Sequence, residues 1–206
     1  MLPILISATP DMAPVASALI YLTMGKMANY LFGSGEPKVA RRLLKRLFQA
    51  GTNRFSYQNT QVVTLSEKVV GLAITYSGRR MKSLELPMAL RLVQTNGILG
   101  FFRFVRRASP LFGIKEVEKD EYFISNLAVF PEHQGHGLGK FLLQQVENKA
   151  MELGFHKLAL TVDVDNPRAI ALYQQTGFRL IQTIEIEPLR KLIGYSGFHR
   201  MLKDLS

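Results

Sequence analysis

The stretch from Phe130 to Phe141, FPEHQGHGLGKF, constrains the fold of this chain more than any other. It holds three glycines within five positions and separates an alternating run (Tyr122 to Val129) from a helical one (Leu138 to Leu153). Glycine tolerates positive φ angles and lets another molecule approach the main chain closely. The start of the following helix offers free N–H groups and the positive end of the helix dipole, which together bind phosphate. The pattern therefore predicts a strand, an anion-binding loop and a helix.

Two nucleotide-binding motifs share this order of elements, and neither matches here. A P-loop requires GxxxxGK[ST] and a dinucleotide fold requires GxGxxG, but neither reads through Gly135 to Phe141. The sequence instead reads QxxGxG, with Gln134, Gly137 and Gly139 at the fixed positions. A phosphate-binding loop of another kind is therefore expected.

A second motif follows a strand-like run and reads NPRAIALYQQTGF, from Asn166 to Phe178. In order and spacing the two motifs resemble the signatures of the GNAT superfamily of N-acetyltransferases, [QR]xxGx[GA] and NxxAxxLYxxxGF. The resemblance extends from about Glu121 to Lys203, with a looser match before it. It implies an α/β (α+β) protein of GNAT fold, with a mixed central sheet of about seven strands flanked by helices.

The resemblance also implies an activity and its residues. Members of this superfamily move an acetyl group from acetyl-CoA directly to a primary amine. By resemblance, the main chain of Leu127, Ala128 and Val129 would hold the pantetheine arm, with the Leu127 N–H facing the thioester carbonyl. Asn166 matches a coenzyme-contacting position, and Tyr173 matches the general acid whose hydroxyl lies beside the coenzyme sulfur. The loop residues expected to contact the coenzyme are Gln134, Gly135, His136, Gly137, Leu138, Gly139 and Lys140.

The motifs do not identify a general base. Histone-type members carry a glutamate on the fourth strand, eleven residues before the loop glutamine, and that position is Phe123 here. Glu121 lies two residues earlier on the same strand face, so it is the catalytic candidate, acting directly or through water. The alternative is that Glu121 is a solvated acid at a strand end. Asp163 and Asp165 are further candidates near the strand ends.

Composition narrows the remaining classes of protein. A chain of 206 residues with 47% hydrophobic residues fits one domain, 1–206, with its own core. The absence of cysteine excludes disulfides, thiolate metal sites and a cysteine nucleophile. The loop residues His133 and His136 have no third histidine nearby, so no metal site is predicted. The apolar N-terminus lacks a basic region, which predicts a cytoplasmic protein without a signal peptide.

The net charge of +10 is concentrated between the third and fourth expected strands. A hairpin of Thr60 to Ser66 and Val69 to Ser77 precedes a segment, about 79–119, that the family does not usually carry. Helical spacing and a glycine break predict a helical insertion here. Between Arg79 and Arg107 it has seven Lys or Arg and one acid, Glu85.

Interleaved Phe and Arg at 101–113 leave several roles open for this insertion. We favour a lid or wall of the acceptor pocket; a packing or dimer contact, or a membrane or nucleic-acid surface, are alternatives. An earlier helix from Pro37 to Gly51 is also basic and amphipathic, and its charged face is either solvated or a binding surface. That face carries Lys38, Arg41, Arg42, Lys45 and Arg46.

The sequence thus predicts an acetyl-CoA-dependent N-acetyltransferase acting on the primary amine of a small-molecule or peptide acceptor. Two alternatives stay open. One is a non-catalytic acyl-CoA-binding sensor or scaffold of the same fold, in which Phe123 and the insertion block the acceptor side. The other is a basic protein that binds nucleic acid or a membrane. The acceptor and the oligomeric state, a homodimer included, are not specified by any stretch of the chain.

Overall fold

The computed structural model describes residues 2–205 and places seven strands in one mixed sheet, in the order β1-β2-β3-β4-β5-β7-β6. Strands β4 and β5 run parallel, and every other neighbouring pair is antiparallel. The predicted fold class is confirmed. The strands are β1 (Ile4–Ser7), β2 (Thr60–Leu65), β3 (Lys68–Ser77), β4 (Tyr122–Val129), β5 (Lys157–Asp163), β6 (Arg179–Glu185) and β7 (Gly197–Asp204).

Within residues 2–205, seven α-helices flank this sheet and bury two hydrophobic cores, one on each face. The first core lies under the first four helices, and the second lies under α5 and α6. Strand β5 serves both, because Ala159 points into the first core while Leu158 and Leu160 point into the second. The helices are α1 (Ala13–Met24), α2 (Lys26–Phe32), α3 (Pro37–Gln49), α4 (Gly78–Ala108), α5 (Leu138–Glu152), α6 (Pro167–Gln175) and α7 (Glu187–Ile193).

The N-terminal helical region differs from the expectation in one respect. The sequence predicts a first strand from Leu2 to Ala8 and then one helix, capped by Thr9 or Asp11, that reaches about Phe32. Instead, Gly25 has φ 48° and divides this helix into α1 and α2. Pro37 starts α3 as predicted, since its ring fixes φ and its missing N–H is not needed there. The five basic residues of α3 are exposed, so its charged face is open to solvent or to a binding partner.

The insertion is helical, as predicted. Helix α4 kinks at Gly97, whose φ of 69° and ψ of 172° are not helical. Leu84 and Leu92 are buried on its inner side, and the Phe104 ring stacks on Phe32 with centroids 5.6 Å apart. The insertion therefore packs against α2 and α3. No helix in the described part of the chain has both the length and the apolar character to cross a membrane.

The connection between β6 and β7 was predicted wrongly. The sequence after Phe178 predicts two apolar runs, Phe178 to Ile186 and Leu192 to Met201, separated by Glu187, Pro188 and other turn-forming residues. Instead, Glu187–Ile193 forms α7, with a proline in its first turn and Leu189 fully buried. Proline favours that helical position as much as it favours a turn. Strand β7 consequently begins only at Gly197.

Candidate functional site

Strands β4 and β5 separate after a short parallel contact. Tyr122 pairs with Leu158, Phe123 with Ala159 and Ile124 with Leu160. Beyond these three pairs, the two strands are not hydrogen bonded to each other. A bulge interrupts the β3–β4 register at Ser125, since Ile74 pairs with Asn126 and Thr75 pairs with Ile124. The bulge bends β4 away from β5. Strand β4 is therefore bulged and diverges from β5.

The separation leaves main-chain groups of β4 facing the opening. The Phe130 N–H donates to the Val70 carbonyl at 3.0 Å, so Phe130 turns its polar groups toward β3. Because the direction alternates along an antiparallel pair, Leu127 and Val129 turn theirs the opposite way. A side-chain hydrogen bond supports this orientation of Val129, since Gln134 Nε2 donates to the Val129 carbonyl at 2.8 Å. The N–H groups of Leu127 and Val129 are thus placed for a ligand in the opening.

The glycine loop ends in an uncapped helix start. Gly137 has φ 80° and is the N-cap of α5, with no side-chain cap, and the first helical bond runs from the Phe141 N–H to the Gly137 carbonyl. The N–H groups before Phe141 therefore have no partner within the helix. A side chain at Gly135 or Gly137 would meet only open space, whereas Gly139 packs against Leu172. This geometry suits a pyrophosphate.

The loop histidine His136 is exposed, and its Nδ1 lies 3.4 Å from the His133 carbonyl oxygen. Lys140 is also exposed at the start of α5, where its charge can reach an anion bound at the loop. In residues 2–205 no group of three or more His, Cys, Asp or Glu is placed to hold a metal ion.

Tyr173 lies on α6 and is 7% exposed. Its ring meets Phe178 edge-on at 5.8 Å, and burial raises its pKa to about 12. The hydroxyl makes no hydrogen bond to any group among the described residues. Buried tyrosines normally satisfy this group. Asn166, at the start of the same helix, uses its side chain to accept the Ala169 N–H at 3.1 Å, so it is a helix cap.

Glu121 is buried, not solvated. It is 2% exposed, its Oε1 pairs with the Arg200 guanidinium, and its Oε2 accepts the Glu118 N–H at 2.7 Å. The strand-end solvated alternative is therefore wrong. Both carboxylate oxygens are engaged, which argues for a structural role; the assignment as base stays a prediction without support from this geometry.

A different carboxylate lies at the opening. Asp163 ends β5, beyond the last residue paired with β4, and accepts a hydrogen bond from the Tyr195 hydroxyl at 2.8 Å. It shares a strand face with Ala159, toward the first core, while Tyr173 belongs to the second. Burial raises the pKa of Asp163. Asp165, in contrast, is exposed and accepts the Ser196 hydroxyl at 3.1 Å.

Sequence reasoning missed a polar group on the same side as Asp163. Arg54 donates from Nε to the Tyr76 hydroxyl at 3.0 Å and from Nη2 to Glu116 Oε2 at 2.5 Å. Tyr76 lies in the first core and Tyr195 packs against it, so the two side chains share a sheet face. Burial first, and then the charges of Asp163 and Glu116, raise the pKa of Tyr195. No motif marks any of them, because they come from four separate segments.

Solved structures of known acetyltransferases share this fold. An N-acetyltransferase from Staphylococcus aureus Mu50 has a TM-score of 0.71 at 23% identity, covering 97% of this chain and 99% of that one. The PaiA N-acetyltransferase from Thermoplasma acidophilum, solved in complex with coenzyme A, has a TM-score of 0.57 at 10% identity, covering 99% of both chains.

Sequence relatives match over a shorter length. The [ribosomal protein bS18]-alanine N-acetyltransferase of Escherichia coli (strain K12) is 40% identical over 67 residues, which are 32% of this chain and 45% of that protein. The chain thus spans under half the length of this relative. The model of the acetyltransferase (GNAT) family matches residues 62–178, more than half of the chain. This chain therefore belongs to the GNAT family of acetyltransferases.

Proposed function

We propose that this family member is an acetyl-CoA-dependent N-acetyltransferase of the cytoplasm, which acetylates the primary amine of a small-molecule or peptide acceptor by direct transfer. The observation that carries the proposal is the opening between β4 and β5, where main-chain N–H groups of Leu127 and Val129 are free for a ligand. The uncapped start of α5 follows eight residues after Val129 and offers free N–H groups to a pyrophosphate. The coenzyme A complex of the Thermoplasma neighbour supports the same cosubstrate.

Acetyl-CoA supplies an activated carbonyl and a thiol leaving group. On this chain, the Leu127 N–H would donate to the carbonyl oxygen as negative charge develops on it. Gly135, Gly137 and the first turn of α5 would hold the pyrophosphate, with Lys140 adding a positive charge. Tyr173 would give its proton to the departing thiolate, since a hydroxyl with a pKa near 12 stays protonated at neutral pH.

For removal of the proton from the amine, we propose Asp163 with Tyr195 as its positioning residue. The carboxylate lies at the opening, on the sheet face opposite the core that holds Tyr173. Asp163 would take a proton from the amine on one face, and Tyr173 would give a different proton to the departing thiolate on the other. Glu121 is less suited because Arg200 and the Glu118 N–H occupy both of its oxygens.

A pair of glycine substitutions tests the coenzyme site by calorimetric titration with acetyl-CoA and CoA. We expect Gly137→Glu to weaken binding roughly ten- to a hundredfold, because it places a negative charge where the pyrophosphate binds. Gly154→Glu is the matched control: it lies beyond the opposite end of α5, with φ 76° and open space around it, so backbone strain is shared by both variants. We expect it to bind like the wild type.

The outcomes separate the proposed function from its rivals. Absence of coenzyme binding by the wild type, or equal loss in the two glycine variants, would contradict the pyrophosphate site. If the wild type binds the coenzyme and only Gly137→Glu loses it, acceptors are screened by thiol release, starting with a peptide bearing an N-terminal alanine and with spermidine. Tight coenzyme binding without turnover of any amine would favour the sensor or scaffold alternative.

Asp163→Asn is expected to change activity and stability in opposite directions. Burial raises the folded pKa, so the folded state binds more protons than the unfolded state between 3.8 and the raised value. Stability therefore falls as the pH rises through this window, and asparagine removes that cost at neutral pH. Acetyl transfer should drop by about 10²-fold or more. Thermal melts at acidic and neutral pH measure the effect on stability, with the exposed Asp165→Asn as control. A destabilised Asp163→Asn would contradict the expected gain in stability, and a fully active one would remove Asp163 as the base.

A further inference from the structure

The insertion exposes an unusual number of large apolar side chains. Five of them, on α4, are between 55% and 70% exposed. Leu86 and Leu90 are four residues apart, as are Ile98 and Phe102, so each pair shares a helix face. The five are Leu86, Leu90, Ile98, Leu99 and Phe102. Single exposed leucines are ordinary, but a group of this kind on one element marks an interaction surface.

These five side chains are exposed although the inner side of α4 is well packed. The inner side of α4 is already engaged, since Leu84 and Leu92 are each 1% exposed and Phe104 stacks on Phe32. The Arg46 guanidinium of α3 also donates to the Thr95 carbonyl of α4 at 3.4 Å. The segments of α4 before and after the kink at Gly97 are therefore each held by one side and present the other, which is the arrangement of amphipathic helices lying on a surface.

The charge around these side chains is strongly positive. Exposed Lys82, Arg91, Arg103 and Arg106 accompany them on α4, and Glu85 is the single acid between Arg79 and Arg107. Helix α3, which contacts α4, adds its five exposed basic residues. The partner of this surface must therefore carry negative charge and also accept aliphatic side chains.

We propose that α4 is a peripheral membrane-binding element that seats its exposed apolar side chains among the headgroups of an anionic bilayer. Such a bilayer offers both properties: anionic lipids attract juxtaposed Lys and Arg, and the acyl boundary takes up leucine, isoleucine and phenylalanine. Nucleic acid meets only half of the requirement. Phosphates would pair with the arginines and bases would stack on Phe102, but Leu86, Leu90 and Leu99 would stay in water.

Vesicle flotation of the full chain tests this proposal. We expect binding to vesicles of phosphatidylcholine with phosphatidylglycerol, little binding to phosphatidylcholine alone, and weakening as salt is raised. Leu86→Ser/Leu99→Ser should lower the partition coefficient at least about tenfold. The control is Leu192→Ser on α7, since Leu192 is 63% exposed but lies outside the insertion. Arg103→Glu/Arg106→Glu should also reduce binding and flatten its salt dependence.

Each other outcome overturns the proposal. Equal binding to neutral and anionic vesicles would contradict the preference for an anionic bilayer. No binding to either, or wild-type binding by Leu86→Ser/Leu99→Ser, would exclude α4 as a membrane-binding element. A single-stranded RNA bound in fluorescence anisotropy, with loss in the arginine variant and none in the leucine variant, would assign the surface to nucleic acid. Calorimetric titration with CoA confirms that each variant is folded, because the coenzyme site lies on other elements.

Discussion

Tyr173→Phe is expected to lower kcat for acetyl transfer by roughly 10²–10⁴-fold and to leave the affinity for acetyl-CoA nearly unchanged. The hydroxyl is the only group removed, and none of the described residues hydrogen bonds to it. Burial keeps it protonated up to a pKa of about 12, so its proton is available over the whole physiological range. For the same reasons the variant should lose little or no stability.

The size of the loss distinguishes two roles for this hydroxyl. A hydrogen bond to a charged sulfur is worth about 1.5–3 kcal/mol, or roughly ten- to a hundredfold in rate. A larger loss requires proton transfer.

Tyr122→Phe is the control, because Tyr122 is buried in the same core but its hydroxyl shares a hydrogen bond with Thr75 at 2.9 Å. This control should lose stability and keep its activity. Wild-type kcat in Tyr173→Phe would exclude the general-acid role.

The largest effect on folding is expected at the buried ion pair. Glu121→Gln should lower the free energy of unfolding by about 3–5 kcal/mol, because it leaves the Arg200 guanidinium buried without a countercharge. Arg200 is 8% exposed and Glu121 is 2% exposed, so solvent cannot replace the missing partner. Urea denaturation measures the change. Asp120→Asn is the control, since its pair with Lys157 is exposed and its loss should matter far less.

The double variant Glu121→Gln/Arg200→Met separates structure from chemistry. With both charges gone, no buried charge is left without a partner, so part of the lost stability should return. A double variant that folds and still transfers acetyl removes Glu121 from the candidate bases. A stable double variant without activity, in contrast, would restore it.

The parts of the site that the sequence predicted are those encoded locally. The glycine loop, the start of α5 and the helix bearing Tyr173 each lie within one short motif, so spacing alone was informative. The Asp163–Tyr195 contact was not predictable in this way. It depends on β7 lying beside β5 and on the position of the α7–β7 connection, and no periodic signal encodes either.

Two predictions were wrong, a solvated carboxylate at Glu121 and a turn in place of α7, and their causes are related. Glu121 precedes β4 among charged residues, and a solvated acid was a reasonable expectation there. Its partner lies 79 residues away on β7, and that long-range contact buries it. Helix α7 is seven residues long, too short for periodicity to decide between helix and turn. The inner side of α7 is buried because Leu189 packs into the first core, and this too is a tertiary contact.

The parting of β4 from β5 gives this sheet a strand edge in its interior. Edges usually lie at the outside of a sheet, where charges, prolines or bulges keep other chains from adding to them. Here the edge at Leu127 and Val129 must stay unpaired so that a ligand can use it, and no strand can cover it permanently. In the proposed function the coenzyme would cover this edge, so we expect the protein without it to aggregate more readily than the protein saturated with CoA.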